Sequence, residues 1–482
     1  MMRAKASFLD RKNGTEDNVI GGRRRKEIRV RRPFLSVSIG LLQEEDGEKR
    51  VVCVETSRDG SKRVYREGRS RDSFVIEEDE MTHKRRLDNV IADYLLPQGY
   101  PESVAPQYQK YMMWRGIQYF FGGALSVLTT RSLLKSLGVA NKNSGEAAAA
   151  INWVVKDGAG RMGRFLFARW GRSLDCELKQ FRLAGDVLME TGASLELVTA
   201  LSPKLFLPLA CTANLAKNLA AVAASSTRAP IYRTFAKANN MADVTAKGES
   251  VANLADVFGT AFGIILAKAK FPTVPTFLSL SVGYLIASRK EVDSVELPYF
   301  NRARLSYATR KFFETGTPPG IEDGNTNEPL LPWSDPSYSR VVLGATVKEA
   351  CESPRCLEKA SLKFSKTDYV LNYRSDTKKA YVMLRKKATS ETSFRGTFAA
   401  QLFLHILKGG DLHLPQRSRV RKDFTETRKQ MRCKETAPDA IMSFVSKHGD
   451  DIFKTFETQV TQLGWKTKMT MLNTKDTRIV QL

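Results

Sequence analysis

AAAAINWVVKDGAGRMGRFL, residues 147–166, decides how the rest of the chain is read. Its second half, Gly158-Ala159-Gly160-Arg161-Met162-Gly163, matches G-x-G-x-x-G, the fingerprint of a dinucleotide-binding fold. That chemistry needs a strand before the glycines, a helix after them and a repeated βα context. Here four alanines lead in, and an alanine run favours helix. No doubly wound alternation follows. The stretch is therefore predicted to be a helix whose glycines let a neighbouring helix come close, and no nucleotide site is expected.

The same texture extends on both sides. From about 84 to 313 the chain is rich in Ala and Leu and broken by short polar stretches. Helices are predicted over 105–137, 145–170, 175–201, 204–225, 247–269 and 275–312. Ser144 suits an N-cap, Gly138 a C-terminal stop, and Pro203 a first helical turn. The resulting fold class is mainly α: a six-helix core bundle, either soluble or membrane-embedded. It is flanked by a small N-terminal β-meander and a C-terminal α+β domain.

The flanks read differently. Residues 1–32 form a polar basic arm, expected to be disordered, with its densest charge at Gly22–Arg32. Residues 33–83 form a small β-rich domain, with alternating runs at 34–39, 51–54 and 63–65 and Asp-Gly pairs at 46–47 and 59–60. Residues 314–338 are a linker rich in Pro, Gly, Asn and Asp. Residues 339–482 form the α+β domain. Strands are expected at 341–347, 369–373, 380–384, 468–472 and 478–481, helices at 393–408 and 437–463, and an exposed basic stretch at 415–434.

Composition narrows the function. The 482 residues carry 76 Lys and Arg against 52 Asp and Glu, an excess of 24 positive charges. Such a surface suits anionic lipid headgroups or an acidic protein partner. Specific nucleic-acid binding is not expected, because no aromatic residue interleaves the basic run to stack on bases. Six scattered cysteines make no C-x-x-C pair and four histidines make no metal cluster, so neither a disulfide framework nor a metal site is expected. Cys351 and Cys356 read as two ordinary thiols. The first 30 residues lack an apolar core, so no secretory signal is expected; their acids leave no clear plastid transit peptide, and a plastid location stays among the alternatives.

Whether the helices meet lipid is open at this level. A membrane span needs roughly 18 or more mostly apolar residues to cross about 30 Å. Phe271–Ser288 is free of charge but just 18 residues long, about 27 Å as a helix. Leu205–Arg228 contains Lys217, and Ser250–Ala267 contains Asp256. These are either buried helices of a large bundle or imperfect spans whose charges face a polar interior.

No P-loop, zinc-protease, nucleophile-elbow or kinase signature is present, and no catalytic or cofactor-binding residue is assigned. Asp186 and Glu190 share one helix face, but such a pair is ordinarily solvated or salt-bridged. Candidate contact residues are Asp157, Gly158, Gly160, Gly163 and Arg164, with Arg228, Lys247 and Asp256. A weak internal echo relates Arg131…Asp157 to Arg228…Asp256, as in transporters built from repeats. In a carrier, Asp157, Lys217 and Asp256 would line the path.

Five blocks in order carry a resemblance. They are LPQGYPESVAPQYQKYMMWRGIQYFFGGALSVLTTRSLLKSLGVA (96–140), INWVVKDGAGRMGRFLFARWG (151–171), LDCELKQFRLAGDVLME (174–190), LFLPLACTANLAKNLAAVAASSTRAPIYRTFAKANNMADVTAKGES (205–250) and NLADVFGT (253–260). Together they resemble the root UVB sensitive family, also called DUF647, over about residues 90 to 315, with a tail like that family's C-terminal domain. FFGGA, AINWVVKDGAGR and STRAPIY are most similar to its sixth plant branch. The resemblance implies a membrane-associated, intracellular protein linked to early plant development, ultraviolet-B responses of roots, auxin transport and vitamin B6 homeostasis. It implies no reaction, no cofactor and no catalytic residue, and it suggests another family member as a partner. The leading expectation is a non-enzymatic membrane-associated helical protein. The alternative is a carrier for a small solute, a B6 vitamer or an organic anion.

Overall fold

The structure, a computed structural model, describes residues 25–29, 51–56, 62–67, 73–78, 92–140, 146–167, 171–201, 205–269, 271–330, 340–413, 419–431 and 437–480. Two compact units divide the chain, Met1–Leu96 and Pro97–Leu482. The first holds an antiparallel sheet of β1 (Arg25–Arg29), β2 (Val51–Thr56), β3 (Lys62–Glu67) and β4 (Ser73–Glu78), in the order β1-β4-β3-β2. β2 and β3 fall on the expected runs at 51–54 and 63–65, and β4, which the sequence reading did not single out, adds a third antiparallel strand. The basic arm departs from expectation: Arg25–Arg29 pairs with β4, Arg25 opposite Glu77 and Lys26 opposite Ile76. The strand expected at 34–39 lies outside the described residues.

In the second unit the described residues of the Ala-rich region are mainly helical. Its elements are α1 (Tyr108–Ala140), α2 (Glu146–Phe167), the short α3 (Gly171–Cys176), α4 (Leu178–Thr199), α5 (Phe206–Phe235), α6 (Met241–Lys268) and α7 (Thr273–Asp293). The glycine motif of residues 158–163 lies inside α2, so no pleated layer exists there. α5 runs ten residues beyond its expected end, with Pro230 accommodated inside it. α6 starts six residues early, at Met241.

The helix expected over 275–312 is two helices. Pro298 has no N–H to donate and its ring clashes with the preceding turn, so the chain breaks after Asp293. Asn301 then caps α8 (Arg302–Thr315), accepting from the Arg304 amide at 2.8 Å. The break moves α8 out of the bundle and into the second layer.

α1 is the centre of the bundle, packed against α6, α7 and α4, while α5 packs on α4 and carries α2 on its other side. The α1–α6 seam is set by missing side chains. A Cβ on Gly259 would stand 1.9 Å from the Phe120 carbonyl oxygen, and one on Gly123 would stand 2.4 Å from the Asp256 carbonyl oxygen. At that separation only glycine lets the two backbones touch.

The second layer is α+β. β5 (Val341–Leu343) runs parallel to β7 (Lys379–Leu384), which pairs antiparallel with β6 (Tyr369–Arg374). Alternate residues of β7 face opposite cores. Ala380, Val382 and Leu384 join α8, α12 (Ser390–Leu407) and α14 (Ala437–Gln462), whereas Tyr381 and Met383 meet α10 (Val347–Ala350) and α11 (Pro354–Lys363). Both faces are covered, which is why Ala380–Leu384 reads as an unbroken apolar run. α9 (Ile321–Thr326) lies in the stretch read as a linker, and that stretch packs closely: the Trp465 indole donates to the Pro319 carbonyl at 2.9 Å. The expected exposed stretch at 415–434 contains α13 (Arg419–Gln430), which buries Phe424 and Thr427. The expected strands at 468–472 and 478–481 are absent from the described residues; single bridges at Lys466 and Ile479 take their place.

A buried polar cluster joins bundle and second layer. The Arg304 guanidinium meets Glu328 at 2.6 Å, and the Asn301 amide donates to Glu328 at 2.7 Å and to Glu177 at 3.0 Å. Lys179 reaches Glu328 at 3.9 Å. Burial, then the neighbouring Glu328 carboxylate, pushes Glu177 up to about 7.

Two outcomes follow from this packing. Gly259→Ala should lower stability by about 1–3 kcal/mol, because a backbone carbonyl cannot step aside. Gly158→Ala, where a Cβ meets nothing within 4 Å, should be neutral or gain up to about 1 kcal/mol. Thermal melts of the two variants in detergent compare them directly. For Glu177, the folded state holds the proton more tightly than the unfolded one. Its contribution is therefore fully present below about pH 4.5 and is lost as pH rises through about 7. Glu177→Gln keeps an acceptor for Asn301, so its melting temperature should exceed that of the parent chain at pH 8 and converge with it near pH 5.

Candidate functional site

Arg182, Asp186 and Glu190 succeed one another every fourth residue on α4, so they share one face. That face is buried, while Val187 and Val198 are exposed. The polarity of α4 is thus reversed from that of a water-soluble surface helix.

The charged groups gather into one network. Glu291 of α7, fully buried, lies 3.6 Å from the Arg115 guanidinium of α1 and 3.3 Å from that of Arg182. Arg182 also bonds Gln118 at 3.2 Å and stands 3.6 Å from Asp186. Asp186 accepts from the hydroxyls of Ser288 at 2.6 Å and Tyr284 at 3.3 Å. On the other side Arg115 reaches Glu249 of α6 at 3.3 Å, and Glu249 takes Arg228 of α5 at 3.1 Å. Tyr119 and Tyr232 flank the Arg115 guanidinium with their rings. One network thus links α1, α4, α5, α6 and α7, and its three guanidiniums face three carboxylates.

Beside this network is a cavity of about 230 Å³, lined by Gln118, Asp186, Glu190, Lys217, Asp256 and Tyr284 among others. Lys217 is held by Glu196 of α4. Glu190 is 7% exposed, and its Oε2 has no hydrogen-bond partner among the described residues.

The candidates read from the sequence divide. Lys217 and Asp256 line the cavity. Asp157 does not: it pairs with Lys156 at 3.3 Å on the outer helix α2. Gly158 and Arg164 are exposed, whereas Gly160 and Gly163 are buried against Asn214, Asn218 and Leu215 of α5. Arg228 belongs to the charge network, and Lys247 approaches Asp243 at 4.0 Å. The echo between the two halves has no structural counterpart at its polar residues. Arg131 donates to the Ala267 carbonyl at the end of α6, whereas Arg228 pairs with Glu249. Asp186 is salt-bridged to Arg182, one of the two ordinary fates expected of it, whereas Glu190 is buried and makes no salt bridge among the described residues. Arg115, Gln118, Arg182, Tyr284 and Glu291 escaped the sequence reading. The available signal was the reversed polarity of α4.

Among the described residues no three His, Cys, Asp or Glu side chains converge as a metal site. In the second layer the Asn372 amide lies 3.2 Å from the Cys356 sulfur and 3.7 Å from that of Cys351; burial, then the adjacent Cys356, pushes the Cys351 thiol up.

Removing the shared carboxylate tests the network. Glu291→Gln leaves Arg115 and Arg182 without their common charge and should lower stability by about 3–5 kcal/mol, read as a loss of folded protein in thermal melts.

Residues 81–316 match the model of the vitamin B6 photo-protection and homoeostasis domain, and residues 319–481 match that of the root UVB sensitive protein C-terminal domain. The chain is 43% identical to protein root UVB sensitive 6 of Arabidopsis thaliana over 78% of its own length and 75% of that protein. It is 28% identical to protein root UVB sensitive 2, chloroplastic, of the same plant over 90% of this chain and 96% of that one. RUS family member 1 of Dictyostelium discoideum is 35% identical over 45% of this chain and 42% of its own. No solved structure matches.

Proposed function

Since the chain belongs to the root UVB sensitive family, we propose that it is a non-enzymatic helical protein inserted in an intracellular membrane and serving vitamin B6 homeostasis. The developmental and auxin-transport roles implied by the family resemblance belong to the same proposal. One observation carries the membrane part: α2, α6 and α7 expose large apolar side chains while a charge network is buried in the bundle beside its apolar clusters.

α5 and α6 are long and apolar enough to cross a membrane. A soluble core helix of that composition would be mostly buried, yet 17% of the most apolar 18-residue window of α6 is buried. Leu254, Val257, Phe258, Ile264 and Ile265 of α6 are exposed. So are Phe271 in the turn and Val274, Leu278, Val282 and Ile286 of α7. On α2 the exposed stripe is Ile151, Val154, Val155, Met162 and Phe165. A soluble chain rarely leaves so many large apolar side chains in water along three helices. Exposed cations stand at Arg289 and Lys290 on one side of these stripes and at Arg131, Lys135 and Lys268 on the other, and Asp256, Arg161 and Arg164 interrupt the apolar surface between. These cations suit anionic headgroups. At about 1.5 Å per residue the α7 stripe from Val274 to Ile286 is about 18 Å tall, less than the roughly 30 Å hydrocarbon core, a mismatch that snorkelling lysines and local thinning accommodate.

The cavity supports a second reading, in which the bundle binds or carries a small solute. At about 230 Å³ it is smaller than the roughly 300 Å³ at which drug-sized sites begin.

Alkaline carbonate extraction tests insertion. The tagged chain should stay in the membrane pellet. Release into the supernatant would instead leave the apolar band to a protein partner, another family member included. Separating plastid from other membranes in the same experiment identifies the compartment, which the chloroplastic relative makes relevant.

A further inference from the structure

The charges around the cavity do not cancel, and their remainder specifies the solute. Arg182 is committed to Glu291, Gln118 and Asp186. Lys217 is committed to Glu196. Asp186 is satisfied by Arg182, Ser288 and Tyr284. The lining therefore offers no uncommitted cation among the described residues, while two of its carboxylates, Glu190 and Asp256, make no salt bridge there; the cation that Glu190 feels, Lys217, is itself held by Glu196. Glu190 is the deeper: it lines the cavity, 93% of it is shielded, and its Oε2 has no hydrogen-bond partner among the described residues. An ionised carboxylate shut away from water without a partner is costly, so such a group holds a proton or meets a cation. Asp256 is exposed, on the side of α6 that also borders the cavity.

We propose that the cavity binds a small solute carrying one positive charge on a protonated nitrogen, with Glu190 as its counter-ion and Asp256 attracting it from the outer side. The Gln118 amide and the Ser126 and Thr129 hydroxyls lie in the same wall and suit the polar remainder of such a molecule, and Tyr284 supplies an aromatic side. Anions are disfavoured by the same arrangement, since every guanidinium and ammonium in the wall already has its carboxylate. This inference deepens the solute-binding reading above and does not depend on membrane insertion.

Three probes of similar size and different charge test it: benzylammonium, benzoate and neutral benzyl alcohol, titrated calorimetrically into the full chain in detergent at pH 7. Benzylammonium should bind saturably and benzoate should not. Glu190→Gln should weaken benzylammonium by about tenfold or more, the equivalent of at least one lost charge contact. Asp256→Asn should weaken it by a smaller factor, about threefold. Asp157→Asn, outside the cavity, should bind like the parent chain. If Glu190→Gln does not fold, Ala193→Leu fills the cavity while leaving the carboxylate in place and should abolish binding. Benzoate binding as well as benzylammonium would overturn the cation assignment and leave a solute site. Binding of neither probe would overturn both, as would benzylammonium binding unaltered in the Glu190 and Ala193 variants.

Discussion

Glu291 stands between Arg115 and Arg182 with no access to water, and the bundle depends on that arrangement. Two guanidiniums cannot be desolvated side by side unless a carboxylate sits between them. Placing it there fixes the register of α7 against both α1 and α4. The remaining carboxylates then have little freedom: Asp186 completes Arg182, and Glu249 joins Arg115 to Arg228. A buried network of this kind adds little net stability over a hydrophobic replacement, but a helix slipped by one turn would strand a charge. Its effect is to specify one packing.

The reversal of polarity follows from the same constraint. With a charge network buried beside the apolar clusters of the bundle, many large apolar residues of α2, α6 and α7 are left on the outside, and glycine and alanine form the close seams between helices. Gly123 and Gly259 allow α1 and α6 to touch at their backbones, which draws Asp256 to the edge of the cavity. The glycine pair and the arginine pair thus act together: one sets how near the helices lie, the other sets which residues meet.

Composition and periodicity went far on elements and less far on partners. The reading of residues 147–166 as helix was available from the alanine run alone, and β6 and β7 were available from their apolar alternation and run. The break between α7 and α8 was written in Pro298 and Asn301 but hidden by the continuous helical texture around them. The final strands were misread because Lys468–Leu472 alternates like a strand, whereas the chain makes only isolated bridges there and at Ile479. The cavity was half legible. Lys217 and Asp256 stood out as charges interrupting apolar runs. Arg115, Arg182 and Glu291 lie in charged, ordinary-looking sequence far apart along the chain, and three-dimensional packing alone brings them together. Asp157 misled for the opposite reason: its neighbour Lys156 supplies its partner locally, so it has no need of the interior.

The position of the second layer completes the argument. α7 changes from apolar to charged at Arg289, and the chain breaks soon afterwards, so α8 and the α+β layer attach at the charged end of the bundle. The joint there is polar as well, with Arg304, Glu328, Asn301 and Glu177 in contact. A layer attached lower would have covered Leu278, Val282 and the turn at Phe271. Attached where it is, it leaves the exposed apolar residues of α7 uncovered and sets the α+β layer at the charged end of that helix.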